Sequence, residues 1–126
     1  MSNYDLEEIK LLKWQFLFSS LFIISTIISL TLTHNEILKR KNEKTLYTSK
    51  EEANILKLNR ILASIIALSF IIINVVDKKI KKKYNECNEN IANANITASA
   101  LTLIATLIVL YLAFYKDNDN IENPEL

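Results

Sequence analysis

"ILASIIALSFIIINVV", residues 61–76, decides how this chain is built. Its 16 residues contain no Asp, Glu, Lys or Arg. As a helix they reach about 24 Å at a rise of about 1.5 Å per residue, short of the roughly 30 Å hydrocarbon core of a bilayer. A helix lying flat at the interface needs a strongly polar face, and this segment has none on any side. The segment is therefore predicted to cross, with Arg60 and Lys78 reaching up to the headgroups from its ends. Had it failed to cross, the chain would form a shallow hairpin.

Working outward, two longer blocks flank it. Trp14 to Asn35 gives 22 residues without a formal charge, and Asn90 to Tyr115 gives 26. Both meet the length of about 20 residues that a spanning helix requires. Helices of a water-soluble bundle keep a polar face, but "FLFSSLFIISTIISLTL" and "ALTLIATLIVLYLAF" offer only Ser and Thr. The expected fold class is an all-α membrane protein with three transmembrane helices. The second is short in its apolar core and extended by charged ends.

The boundaries read as follows. Residues 1–13 form a charged N-terminal segment whose Leu6, Ile9 and Leu12 suit a helix leading into the first span, 14–35. Residues 36–60 form a basic loop, helical from about 50, where Ser49-Lys50-Glu51-Glu52 fits a capping box. The second span, 61–76, is followed by a basic, Asn-rich loop, 77–92, since Asn favours turns and caps. The third span, 93–115, ends in Tyr111, Phe114 and Tyr115, an aromatic belt that mirrors Trp14. The acidic tail, 116–126, is expected to be disordered. A cleaved signal peptide is not expected, because the first block is too long and "TLTHNE" lacks a small-residue cleavage site.

Composition excludes several chemistries. Glycine is absent and the one proline is Pro124. No Gly-rich phosphate loop can form, and the spans lack the usual residues of a broken transporter helix. One cysteine, Cys87, and one histidine, His34, supply neither a disulfide nor a zinc set. Catalysis needs ionisable groups gathered in a pocket, and the apolar blocks hold none. No enzyme activity, cofactor or nucleic-acid partner is expected. The wealth of Ile, Asn and Lys suggests AT-rich coding and a bacterial cytoplasmic membrane.

Lysine and arginine on short flanking loops set orientation, and here they nearly cancel. Lys10 and Lys13 precede the first span. Lys39, Arg40, Lys41, Lys44, Lys50, Lys57 and Arg60 follow it. Lys78, Lys79, Lys81, Lys82 and Lys83 follow the second, and Lys116 the third. With three spans the two sides carry seven and eight. The density of the second cluster favours an N-terminus inside, and insertion both ways round is the alternative. Lys39, Arg40, Lys41, Lys78, Lys79, Lys81, Lys82 and Lys83 are candidates for contact with anionic lipid headgroups.

Small and hydroxylated residues recur at helical spacing: Ser19, Thr26 and Ser29 on the first helix, Ala63, Ala67 and Asn74 on the second, and Ser99, Thr102 and Thr106 on the third. Such stripes let membrane helices approach closely, and Asn74 is expected to hydrogen-bond a neighbouring helix. A pore lining is the sharper alternative. Asn95-Ile96-Thr97 matches a glycosylation pattern, but at a helix start inside the membrane its use is not expected. The functional expectation is a small membrane protein acting through helix–helix contacts, as an accessory, regulatory or immunity-type protein, with membrane lipids and a homo-oligomer or a membrane protein as partners. The alternatives are a holin-like pore-former and a dual-topology dimeric channel or transporter.

Overall fold

The computed structural model describes residues 1–122, with side chains through Tyr115. It consists of three helices in antiparallel succession: α1 (Asn3–Arg40), α2 (Ser49–Lys83) and α3 (Glu89–Glu122). Among the described residues there is no strand. The expectation of a disordered tail at 116–126 falls outside the residues described in full. At about 1.5 Å per residue the helices are about 50–57 Å long, so each outruns its apolar block and carries charged turns beyond it.

The chain stops and starts where its side chains satisfy helix ends. Ser2 caps α1 by accepting the Asp5 N–H at 3.1 Å. The capping box of α2 lies one residue earlier than Ser49-Lys50-Glu51-Glu52 suggests. Thr48 Oγ1 accepts the Glu51 N–H at 3.2 Å, and Glu51 carboxylate accepts the Thr48 N–H at 3.0 Å. Thr48 satisfies the same T-x-x-E spacing, and its extended backbone (φ −71 to −69° at both N-caps) leaves Ser49 inside the first turn.

Both turns leave a helix in the same way. Asn42 and Asn85 adopt left-handed backbone, φ 58° and 57°, which Asn tolerates better than most residues. The following N–H reaches back to close the helix, Glu43 to Leu38 O at 3.0 Å and Glu86 to Lys81 O at 2.8 Å. In a chain without glycine, asparagine takes this role.

α2 is the middle helix: α1 and α3 each pack along it, and among the described residues they do not pack against one another. The seam on α1 runs through Leu11, Phe18, Leu21, Ser25, Ile28, Leu32 and Asn35, one step of seven residues and then the alternating three- and four-residue steps of a coiled-coil stripe. On α2 the buried positions are Asn59, Ser64, Ile66, Ala67 and Ile73. On α3 Ala113 is buried, and most of the remaining apolar surface faces outward. Only 11%, 17% and 6% of the apolar windows of α1, α2 and α3 are buried, and Phe16, Leu30 and Leu101 are among many large apolar side chains left bare. Apolar exposure of that breadth is untenable in water and is what a lipid-facing surface requires. All three helices are long and apolar enough to cross a membrane.

The helix register offsets the apolar blocks. Ser25 lies against Asn59, Asn35 against Glu52 and Glu7 against Lys83. Asn74 lies against Ser99, Lys82 against Glu89 and Lys57 over the Phe114 ring. The uncharged block of α1 is therefore displaced toward the start of α2, and Asn59 sits beside the middle of it. Replacing Asn59 with Leu is expected to lower stability by about 1 kcal/mol, read by denaturant titration in micelles, whereas Ser19→Leu, on an exposed face, leaves the midpoint unchanged.

Candidate functional site

Polar side chains join the helices at four levels. At the first turn, between α1 and α2, Asn35 is fully buried. Its carbonyl accepts the Tyr47 N–H at 2.9 Å, and its amide donates to Tyr47 O at 3.5 Å and to the Glu52 carboxylate. Lys39 pairs with Glu52 at 2.7 Å, and the Tyr47 hydroxyl donates to Thr31 Oγ1 at 3.2 Å. A loop that basic residues alone would leave loose is thereby fastened onto α1.

Deeper along α1, Ser25 Oγ donates to Asn59 Oδ1 at 2.7 Å. The Asn59 amide donates in return to Ser25 O at 3.2 Å and Ser29 Oγ at 2.9 Å. Both amide N–H groups and the bond accepted by Oδ1 are directed at α1. One residue on, Arg60 Nε is buried without a hydrogen-bond partner among the described residues. On the other flank of α2, Asn74 donates to Ser99 Oγ and to Asn95 O at 3.3 Å, tying α2 to α3.

The fourth level is the end of α2, where the lysine cluster meets the starts of both other helices. Lys83 pairs with Glu7 of α1 at 3.4 Å, Lys82 with Glu89 of α3 at 2.9 Å, and Lys78 donates to Asn93 Oδ1 at 2.6 Å. Tyr4 and Tyr84 meet edge to face at 5.5 Å. Lys81 pairs with Asp77 at 2.8 Å, and Asp77 in turn faces Glu8. Burial, and then the hydrogen bond with Asp77, push the Glu8 carboxyl up to about 7. A hydrogen bond from Tyr84 and the pairing with Lys83 hold Glu7 below the usual carboxylate range. Lys81 is raised chiefly by Asp77.

The basic residues expected at headgroups thus divide. Lys78, Lys81, Lys82 and Lys83 are engaged as above, Lys39 is held by Glu52, and Arg40 lies 3.6 Å from Glu36. Lys41 and Lys79 stand exposed. The packing stripes divide too. Ser29, Ala67, Asn74 and Ser99 lie in the interfaces, with Ala63 and Thr106 half-buried along them. Ser19, Thr26 and Thr102 lie on exposed faces, the latter two hydroxyls bonded to their own helix backbone. In the sequence Asn35 falls at a span end, Asn59 in the basic loop, and Ser25 outside the small-residue stripes.

His34 is exposed and Cys87 half-buried in the second turn. Among the described residues no three His, Cys, Asp or Glu side chains gather as metal ligands. No family model, curated protein or solved structure matches the chain.

Two outcomes follow from these contacts. Asn35→Ala leaves the Tyr47 N–H unanswered, at a cost of about 1–3 kcal/mol, and trypsin is expected to cut at Lys41 and Lys44 far faster than in the parent. At the opposite end, the Glu8 carboxyl binds its proton more tightly folded than unfolded. Its contribution is therefore greatest below the unfolded value of about 4.5 and is lost as pH rises through about 7. Amide exchange of the first turns of α1, corrected for intrinsic rates, should show weaker protection at about pH 8 than at about pH 5, and Glu8→Gln should remove the difference.

Proposed function

We propose that this chain is a non-catalytic integral membrane protein of the bacterial cytoplasmic membrane, acting through helix–helix contacts as an accessory, regulatory or immunity-type subunit. The observation that supports the reading is the division of labour among the helices. α2 is covered on two flanks, whereas α1 and α3 are each covered on one and, among the described residues, do not pack together. Their outer faces carry small and hydroxylated positions, Ser19 and Thr26 on α1 and Thr102 on α3, that the fold does not use. In lipid, small residues of this kind are where one helix admits another closely. The partner is a second copy or another membrane protein.

The absence of a charged side chain between Trp14 and Asn35, or between Asn90 and Tyr115, weighs against a pump, since ion and proton pathways mark themselves with buried ionisable groups. A photo-crosslinking residue placed at position 26 or 102 in native membranes is expected to give a discrete protein adduct, while one at position 16 gives lipid adducts only. Lipid adducts at all three positions would remove the reading. Vesicles loaded with a self-quenched dye should stay sealed when the purified chain is reconstituted, and concentration-dependent release would put a holin-like pore in its place.

A further inference from the structure

Where α1 and α2 run side by side near the lysine cluster, they leave a groove of about 360 Å³. Its walls include Leu11, Trp14 and Phe18 from α1, and Ser69, Ile72 and Val76 from α2. Trp14 and Phe18 stack at 6.1 Å and form one wall. Trp14 is 56% and Ile72 55% exposed, so the groove is open along one flank to the surrounding lipid. The volume lies within the roughly 300–1,000 Å³ range of small-molecule sites, but the walls carry one hydroxyl and no charge. An apolar chain is what they fit.

The mouth of the groove has a different chemistry. At a helical rotation of about 100° per residue, Lys10 falls beside Trp14 one turn toward the start of α1. Lys79 falls beside Ile72 and Val76 one turn toward the end of α2. Both lysines lie on the open flank, at one level, and both are exposed. The carboxylates nearby are already engaged, Glu7 with Lys83 at 3.4 Å and Asp77 with Lys81 at 2.8 Å. Among the described residues neither Lys10 nor Lys79 forms an ion pair. An apolar channel capped at headgroup depth by two exposed cations that no ion pair holds, Lys10 sharing only the longer-range field of Glu7, is complementary to one class of molecule. We propose that the groove holds an acyl chain of an anionic phospholipid from the bilayer, with its phosphate between Lys10 and Lys79. The site goes beyond the partner-binding reading and does not depend on it.

Trp14, the single tryptophan of the chain, reports directly on the groove. The full chain is reconstituted in phosphatidylcholine vesicles containing a minor fraction of lipid brominated on its acyl chains. Brominated phosphatidylglycerol is expected to quench Trp14 about twofold more than brominated phosphatidylcholine at the same fraction, because juxtamembrane lysines enrich anionic headgroups. The double variant Lys10→Gln/Lys79→Gln should abolish the excess, as should Ser69→Phe, which fills the groove without touching a charge. Lys41→Gln, at the opposite end, should leave it intact. Equal quenching by the two lipids in the parent chain overturns the proposal without recourse to any variant. An excess that survives Ser69→Phe also overturns it, since that result reports a general surface attraction and no built site.

Discussion

A side-chain amide held between apolar helices has to be answered by another polar group, because its apolar neighbours offer none. Three asparagines obey that constraint here, and the fold depends on how they do so. Asn35 closes the first turn onto α1, Asn59 engages two serines of α1, and Asn74 engages α3. Between helices that are equally apolar on every side, such contacts set the register. Van der Waals packing alone would tolerate sliding by a turn, since one Leu or Ile replaces another. An amide that must find Ser25 and Ser29 does not tolerate it. The same logic explains why α2 is central: it carries Asn59 toward α1 and Asn74 toward α3.

The sequence made the three helices legible because charge-free runs of that length have few other uses. It made the asparagines only partly legible. Asn74 stood out because it interrupts an apolar run. Asn59 did not, because Arg60 marks the end of the block and the helical stretch before it, from about residue 50, reads as the charged part of a basic loop. Whether such a residue is buried depends on the helix beside it, and the offset between α1 and α2 is set by contacts distant in sequence. The capping box illustrates a smaller gap. Thr48 and Ser49 are followed at the proper spacing by Glu51 and Glu52 respectively, so composition allows either start and only backbone geometry selects Thr48.

The lysine cluster changes meaning in three dimensions. Along the chain it is a dense basic run beside a short span, and anionic lipid is the natural partner for all of it. In the fold, most of its cations meet side chains from helix starts that are distant in sequence (Glu7) or just beyond the turn (Glu89 and Asn93). The cluster fastens the beginnings of α1 and α3 to the end of α2. Exposed ion pairs contribute little singly, but these two and the Lys78–Asn93 hydrogen bond sit where helix ends would otherwise fray, and the Tyr4–Tyr84 contact reinforces them. Lys79 is left over from this arrangement.

The offset between apolar blocks bears on the membrane itself. The level at which all three helices are free of charge corresponds to about residues 61–73 of α2, roughly 20 Å along the axis. The surrounding hydrocarbon is nearer about 30 Å. Lys57 and Arg60 on one side, and Lys10 and Lys13 on the other, bracket that narrow zone. A bilayer meeting such a protein thins around it, or the helices draw their cations outward to the phosphates. Hydrophobic mismatch of this kind sorts proteins toward thin or disordered patches and draws like-mismatched proteins together, so the register that three asparagines impose also selects the lipid neighbourhood in which the chain resides.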